Sequence, residues 1–477
     1  MNPQYDFGMV GLGVMGSNLL LNLADHNYAV IGFDLKPERG QALENAAKEG
    51  TVVKGVNTIE AMVVSLKNPR KIMMLVPAGK PVDDVIANLL PHLEKEDILI
   101  DGGNSFYKDT LQRIDYLQQK GIHFFGMGVS GGEMGARIGP SMMPGGDKEA
   151  YKYLQPLLEA IAAQAKDGEP CVAYMGNGAA GHYVKMVHNG IEYALMQLIS
   201  EVYDVLKRGA GFTNQELYAT FIKWNNGPLK SFLIKITADI FKTGDSETPG
   251  EEDFLVDNIL DQAGSKGTGK WTSQEAMNLP VPIPTIDAAV AARTVSVFKQ
   301  HRIAASQLYR SKLIPIGLSK EELLKQAERA LEFCYIIAYA QGLHQLSKAS
   351  IELGMNIPVT DVIKVWRQGC IIRSAMLENF YQAYKKQDNL ENLLLDESIA
   401  ELIKATHPDM KGIAIQAINS GIAIPAMMSA LAYFEGFCSA TMPTNLIQAQ
   451  RDYFGAHTYK RIDKEGVFHT EWSAEEE

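Results

Sequence analysis

Positive charge is in short supply in this chain. Its 477 residues carry 45 Lys and Arg against 56 Asp and Glu, a formal charge of −11. Long-range repulsion therefore opposes non-specific binding to nucleic acid or to an anionic membrane, and any anionic ligand needs a local basic cluster. Cysteine is scarcer still. Cys171, Cys334, Cys370 and Cys438 stand far apart without a C-x-x-C pair, which excludes a thiolate zinc site of the usual spacing and argues against a disulfide framework. No basic segment followed by an apolar one opens the chain, so no secretory leader is read there. The longest uncharged run, 412–434, is interrupted by Gln416, Asn419, Ser420, Gly421 and Pro425 and reads as two buried helices broken near 419–421 rather than a membrane span. These absences point to a soluble, cytoplasmic protein.

What is present is an ordinary globular composition, 46% hydrophobic and 21% charged, long enough for about three domains. Short apolar runs at 7–10, 29–34, 71–76, 98–101 and 124–129 read as strands, and the stretches between them, such as 14–25 and 80–92, read as amphipathic helices. That alternation predicts a mostly parallel sheet covered by helices on both faces. The pattern changes near residue 178. Helix-period stretches follow at 178–208, 214–242, 284–309, 320–352 and 357–384, so the second part is all-helical. From about 441 to the end, Tyr453, Phe454, Tyr459, Phe468 and Trp472 occur without a clear period. Exposed aromatics are costly in water, so this tail is expected to pack on its own body or on a partner subunit.

Gly11-Leu12-Gly13-Val14-Met15-Gly16 follows the first strand and opens a helix. Glycines so placed permit a tight turn and a close backbone approach to a pyrophosphate resting on the helix N-terminus, the Rossmann dinucleotide fingerprint. Asp34 ends the next strand. Its carboxylate can bind both ribose hydroxyls and repels a 2′-phosphate, which favours NAD, while Lys36 and Arg39 nearby can neutralise a phosphate and leave NADP compatible.

Two further motifs are near misses. Gly128-Val129-Ser130-Gly131-Gly132 fits the G-x-S-x-G nucleophile elbow, but the glycines and prolines through 146 predict a loop where that motif needs a helix; a loop offering N–H groups and a hydroxyl to a carboxylate fits better. Gly264-Ser265-Lys266-Gly267-Thr268-Gly269-Lys270 resembles a P-loop but ends in Trp271 instead of Ser or Thr, and 254–263 reads as helix rather than strand. It is either a loop holding one phosphate group or a solvated turn.

Lys185, His188, Asn189, Glu192 and Tyr193 share one face of the first long helix, opposite Val184, Val187, Ile191, Ala194, Leu195 and Leu198. The face is either a solvated surface or a site. As a site, a dehydrated lysine acts as base and a neighbouring carboxyl as acid, a pairing suited to hydride transfer that needs no metal.

Over essentially its whole length the sequence resembles the decarboxylating 6-phosphogluconate dehydrogenases. The resemblance rests on Gly11–Gly16, Asp101-Gly102-Gly103-Asn104-Ser105, Gly128–Gly132, Met142-Met143-Pro144-Gly145-Gly146, residues 181–193, 266–271 and 447–459 (IQAQRDYFGAHTY). It implies a Rossmann-type α/β domain at 1–177, a large all-α substrate and dimerisation domain at 178–440, and a tail, 441–477, on the partner subunit of an obligate homodimer. It implies Lys185 as general base and Glu192 as general acid on 6-phosphogluconate. Asn104, Ser130, Gly131, Gly132, His188 and Asn189 orient the sugar acid; Tyr193, Lys266, Thr268 and Arg293 hold its phosphate; Arg451 and His457 complete the neighbouring pocket. The cofactor, NADP or NAD, is expected on Gly11, Leu12, Gly13, Val14, Met15, Gly16, Asp34, Leu35, Lys36, Val76, Pro77, Ala78 and Asn104. Two departures stand out: Asp34-Leu35-Lys36 replaces the Asn-Arg-Thr or Asn-Arg-Ser of NADP-using members, and Pro77 replaces a lysine. Two competing readings are a shorter-chain β-hydroxyacid dehydrogenase, which leaves 266–271 and Arg451 unexplained, and a non-catalytic dinucleotide sensor, which has no need of both Lys185 and Glu192.

Overall fold

A computed structural model describes residues 4–246, 254–309, 312–387 and 389–472. It divides into two compact units, one through Ala430 and one from Leu431. The first unit opens with a seven-stranded sheet: β1 (Phe7–Val10), β2 (Val30–Phe33), β3 (Val53–Val56), β4 (Lys71–Met74), β5 (Ile98–Asp101), β6 (His123–Ser130) and β7 (Ser141–Gly145). Their spatial order is β3-β2-β1-β4-β5-β6-β7. Every neighbouring pair is parallel except β6–β7, where Gly128 lies opposite Met143 in an antiparallel ladder. The order reverses beside β1, where a doubly wound sheet opens a crevice at its carboxyl ends. Two apolar clusters cover the two faces: Met9, Leu20, Leu23, Met73 and Ile100 belong to one, Val10, Ile31, Ile72, Met74 and Leu99 to the other. Successive strand residues alternate between them, as burial on both faces requires.

Helices dominate after the sheet. Ala180–Asp204 and Lys320–Glu352 are the long ones. Gly181 lets the first begin directly on the sheet, since a Cβ there would lie 2.1 Å from Gly126 O and 2.3 Å from Met143 O. The uncharged run forms parts of two helices, Glu397–Ser420 and Pro425–Phe437, separated at a left-handed Gly421. Among the described residues no helix is long and apolar enough to cross a membrane.

Several expectations need correction. The stretch expected at 214–242 is two helices, Asn214–Trp224 and Phe232–Lys242; Gly227 and Pro228 fall in the gap, and proline cannot continue a helix. Likewise 357–384 is Val359–Trp366 and Met376–Lys386, parted by Gly369 at φ +69°. Residues 254–263 are helical only at Leu255–Asn258. Ion pairs from Lys299 and Arg302 to Asp261 and a hydrogen bond from Ala263 N–H to Ser296 hold the remainder in another course. The glycine-rich stretch after Ser130 is not a loop: Gly131 turns at φ +128° into a helix, Gly132–Ile138, and β7 follows. Pro144 and Gly145 masked β7, which tolerates them at the sheet edge. β3 was hidden by its half-exposed face and by Gly55, whose missing side chain admits the Gly40 backbone.

The second unit also holds a helix the sequence pattern did not show, Thr444–Gly455. Beyond it, Tyr459 and Phe468 form one antiparallel bridge. Its centre is Asp452, fully buried, whose carboxylate accepts from Thr458 N–H, Thr470 N–H and the Trp472 indole and pairs with His469. Burial opposes that charge, but His469 and the three donors outweigh it and hold the carboxyl at about 2.

One buried carboxylate of the first unit titrates near neutrality. Glu201, on the helix Ala180–Asp204, accepts Ala426 N–H and Met427 N–H at 2.8 Å each and so caps the helix Pro425–Phe437. Burial pushes its carboxyl from 4.5 up to about 7. A folded-state pKa above the unfolded one contributes stability that is complete below about 4.5 and lost as the pH rises through about 7. The melting temperature of the wild type should therefore fall across that window more steeply than that of Glu201→Gln, whose amide does not titrate. Parallel melting-temperature profiles would refute this assignment.

Candidate active site

The dinucleotide end of the site is built from the carboxyl ends of β1, β2 and β4. Gly11 turns at φ +97°, with Leu75 O and Val76 packed where its side chain would stand. A Cβ on Gly16 would lie 2.0 Å from Gly11 O. Over Gly13, by contrast, there is open space, and no side chain caps the helix Val14–Asp25 that starts after it. Free N–H groups facing open space are what a pyrophosphate requires, so these residues fit a dinucleotide. Val76, Pro77 and Ala78 form the neighbouring wall, ending at Gly79, φ +85°.

Asp34 is committed to this loop. Its carboxylate accepts Leu12 N–H at 2.8 Å, Lys36 N–H at 2.9 Å and the Arg39 guanidinium at 3.0 Å. Burial pushes the carboxyl up, but these bonds prevail and hold it below the usual range. Leu35 is 90% exposed, placing an open position beside the carboxylate.

The polar stripe on Ala180–Asp204 is not a solvated face. Lys185, His188, Asn189 and Tyr193 are all buried, Lys185 at 6% exposure and His188 at 0%. Gly128 makes room for the lysine: a Cβ there would lie 2.4 Å from Lys185 Cβ. The amine stands 3.3 Å from His188 Nδ1, which also faces Asn189 Oδ1 at 3.0 Å. Ser130 Oγ approaches His188 Nε2 at 3.2 Å and accepts Ile371 N–H at 3.3 Å. Asn189 Nδ2 donates to Thr268 Oγ1 at 3.2 Å. With the proton of a neutral His188 on Nδ1, that N–H donates to Asn189 Oδ1 and Nε2 accepts from the Ser130 hydroxyl. The strand–turn–helix setting of a nucleophile elbow is thus present, but its serine is one link in this network.

Burial pushes Lys185 down, against the opposing fields of Glu192 and Cys370. It pushes His188 well below its ordinary value, and the Lys185 charge acts in the same direction. Burial also raises Glu192, against Lys185 and Arg293. Glu192 Oε2 lies 3.9 Å from His188 Nδ1. The arrangement favours an uncharged amine next to a protonated carboxyl, a base and an acid on one helix.

The loop 264–270 adjoins them. The Tyr193 hydroxyl donates to Ser265 Oγ at 3.3 Å, and Gly269 packs on the Tyr193 ring, where a Cβ would lie 2.5 Å from Cδ2. The Arg293 guanidinium lies 3.5 Å from the Tyr193 ring centroid and donates to Gly264 O at 3.1 Å. Lys266 is exposed on the same loop, and Thr268 begins the helix Thr268–Asn278. Asn104 is set by the loop after β5, in which the Asp101 carboxylate accepts from Gly103 N–H and Ser105 Oγ. That loop is tied to Thr268–Asn278 by Phe106 against Trp271 and by Tyr107 donating to Glu275 at 2.6 Å. Arg451 and His457 belong to the second unit, with Arg451 donating to Gln448 and His457 edge-on to Phe454.

Sequence reasoning missed the segment 366–371. It supplies Ile371 N–H to Ser130, places Trp366 edge-on to His188 and puts the Cys370 thiol, raised to about 12 by burial, in the electrostatic field of Lys185. The one signal was Gly369 inside an otherwise helical stretch.

Comparison with known proteins agrees with this architecture. The family model for the NAD binding domain of 6-phosphogluconate dehydrogenase matches residues 6–176, and that for the 6-phosphogluconate dehydrogenase C-terminal domain matches 181–472. A decarboxylating 6-phosphogluconate dehydrogenase of Lactococcus lactis is 48% identical, covering 99% of this chain and all of the relative. An NADP(+)-dependent one of Bacillus subtilis is 49% identical over 98% of both. The solved Plasmodium falciparum 6-phosphogluconate dehydrogenase, described as apo and in complexes with NADP+ and with 6-phosphogluconate, superposes at a TM-score of 0.94 with 45% identity, covering 98% of this chain and all of that one.

The Asp34–Arg39 arrangement yields a direct test. Replacing Asp34 by Asn together with Leu35 by Arg removes a charge that repels a 2′-phosphate and adds one that attracts it. Fluorescence titration with NADPH and NADH should show the affinity ratio move toward NADPH by at least about tenfold, ~1.4 kcal/mol. An unmoved ratio would remove Asp34 from cofactor discrimination.

Proposed function

The chain belongs to the 6-phosphogluconate dehydrogenase family, and from that premise we propose that it oxidatively decarboxylates 6-phospho-D-gluconate to D-ribulose 5-phosphate and CO2, the oxidative branch of the pentose phosphate pathway. The observation that carries the reading is the Lys185 amine, dehydrated against Gly128 and facing a neutral His188, with Glu192 two turns further along the same helix. A nicotinamide dinucleotide, NADP or NAD, supplies the hydride acceptor when bound at Gly11–Gly16. NADP is the cofactor named for the Bacillus and Plasmodium relatives, and the Asp34 carboxylate favours NAD.

Lys185 takes the C3 hydroxyl proton as C3 is oxidised. A carbonyl β to the C1 carboxylate then accepts the electron pair released when CO2 leaves, so oxidation precedes decarboxylation. Glu192 returns a proton to C1 of the resulting enediol. Asn104, Ser130, Gly131, Gly132, His188 and Asn189 orient the sugar acid and its carboxylate; Tyr193, Lys266, Thr268 and Arg293 bind the phosphate. This local positive charge answers the repulsion of an acidic protein for an acidic substrate.

We assign 1–177 to cofactor binding, 178–440 to substrate binding and dimerisation, and 441–477 to a tail whose Arg451 and His457 complete the pocket of a second copy in a cytoplasmic homodimer. An association surface is supported by the exposed apolar side chains of Val295, Val297, Phe298, Leu308 and Tyr309. Four free cysteines suit a reducing compartment.

Lys185→Met should cut CO2 release from 6-phosphogluconate by about 100- to 10,000-fold while dinucleotide binding persists; near-normal turnover would take the base role away from the lysine. In the wild type, kcat/KM should rise with pH as Lys185 loses its proton at a pH below the ordinary lysine range. It should fall again as Glu192 ionises above the ordinary carboxyl range, and Glu192→Gln should lose that alkaline limb. A chain ended after Met442 should lose turnover and dimerisation together by activity assay and sedimentation; an active monomer contradicts the shared pocket.

A further inference from the structure

A cavity of about 480 Å³ lies outside the proposed catalytic site, lined by residues 165–167, 230–232 and 373–375 among others. Its volume is in the range of small-molecule sites. Two of its walls are paired: Phe232 N–H donates to Arg373 O at 3.1 Å, Ala375 N–H donates to Lys230 O at 2.8 Å, and Ser231 bridges Ser374. Lys230 and Arg373 are therefore held in fixed register.

Five cationic side chains line the cavity against two carboxylates. Both carboxylates, Asp167 and Glu378, are already paired with Arg367, and Lys235 is paired with Asp239. Among the described residues no carboxylate pairs with Lys166, Lys230 or Arg373. Arg373 is half-buried, lies 4.0 Å over the Phe232 ring and donates to Cys370 O at 2.6 Å. Burial drives its guanidinium down, the mark of a cation lacking a counter-ion. A surplus of three cations lining a cavity with a partly apolar, aromatic wall calls for an anion with an organic body.

We propose that this cavity binds a phosphate monoester, its dianion held by Lys166, Lys230 and Arg373 and its organic body set against Phe232, Ala165 and Ala375. The site does not depend on the reaction proposed above: none of these six residues belongs to the catalytic machinery.

Calorimetric titration of the full-length protein with adenosine 5′-monophosphate, ribose 5-phosphate and inorganic phosphate tests it. The expected result is a binding event for one or both esters whose Kd rises about tenfold or more in Lys166→Gln/Lys230→Gln, with inorganic phosphate weaker than the ester. Both substitutions are on exposed lysines, so the double variant should retain wild-type turnover of 6-phosphogluconate without added ester. Binding in the catalytic pocket would be untouched by the pair. No binding at millimolar ester, an affinity unchanged in the double variant, or inorganic phosphate binding as tightly as the esters would each overturn the proposal.

Discussion

The dehydration of one amine governs the rest of this structure. A lysine rarely survives at 6% exposure without a carboxylate against it, because burying an ammonium costs several kcal/mol. Among the described residues Lys185 has no such partner within ion-pair distance; its polar neighbour is an imidazole that burial also keeps neutral. The fold reconciles this by lowering the proton affinity of the nitrogen through burial. To do so it must bring the helix Ala180–Asp204 against the sheet closely enough to exclude water, and two glycines set that distance. Gly181 admits the sheet backbone at the start of the helix, and Gly128 admits the lysine stem one turn later. A methyl group at either position would push the helix outward and readmit solvent to the amine.

The same burial acts on Glu192 with the opposite chemical outcome. Low dielectric disfavours charge of either sign, so it lowers an amine and raises a carboxyl. Were the two groups an ion pair, each would stabilise the charge of the other. Placed seven residues apart on one helix, they share the dry environment without direct contact, and each stays closer to its neutral form. A base and an acid thus arise from one physical cause. The basic groups of the proposed phosphate site, Arg293 and Lys266, sit at the wetter edge, where a charge is cheaper to keep.

Much of this was legible in the sequence, and the reason is local periodicity. The helices 14–25 and 320–352 and the strands 7–10 and 98–101 coincide with the observed elements because their apolar patterns are strong and their boundaries chemically marked. The five-residue stripe from Lys185 to Tyr193 was visible for the same reason. Its burial was not visible, since no pattern within a helix states what packs on its polar side. The short strands β3 and β7 failed because Gly55, Pro144 and Gly145 carry turn signals that tertiary packing overrode. The helix Gly132–Ile138 failed likewise: the glycines and prolines through 146 suggested a loop, yet Gly131 and Gly132, both at positive φ, make the turn and Gly135 is tolerated within the helix. Ile371 reaches Ser130 across 241 residues, and nothing in either neighbourhood predicts that approach.

The tail poses the converse problem, order without a periodic signature. Its residues 456–472 contain few apolar repeats, yet they are organised, because one carboxylate gathers the backbone N–H groups of Thr458 and Thr470, an indole and an imidazole around it. A buried Asp with four partners does for this segment what a hydrophobic core does for a domain: it removes alternatives, since each donor left unpaired in its place would cost more than an ordinary surface contact returns. Arg451 is adjacent in sequence to that hub, and His457 lies between two residues of positive φ, Ala456 and Thr458. Side chains on such a fixed base are ordered on folding rather than on binding, so any contact they make costs less conformational entropy. Asp452 is the residue through which this chain fixes the segment 456–472 on folding.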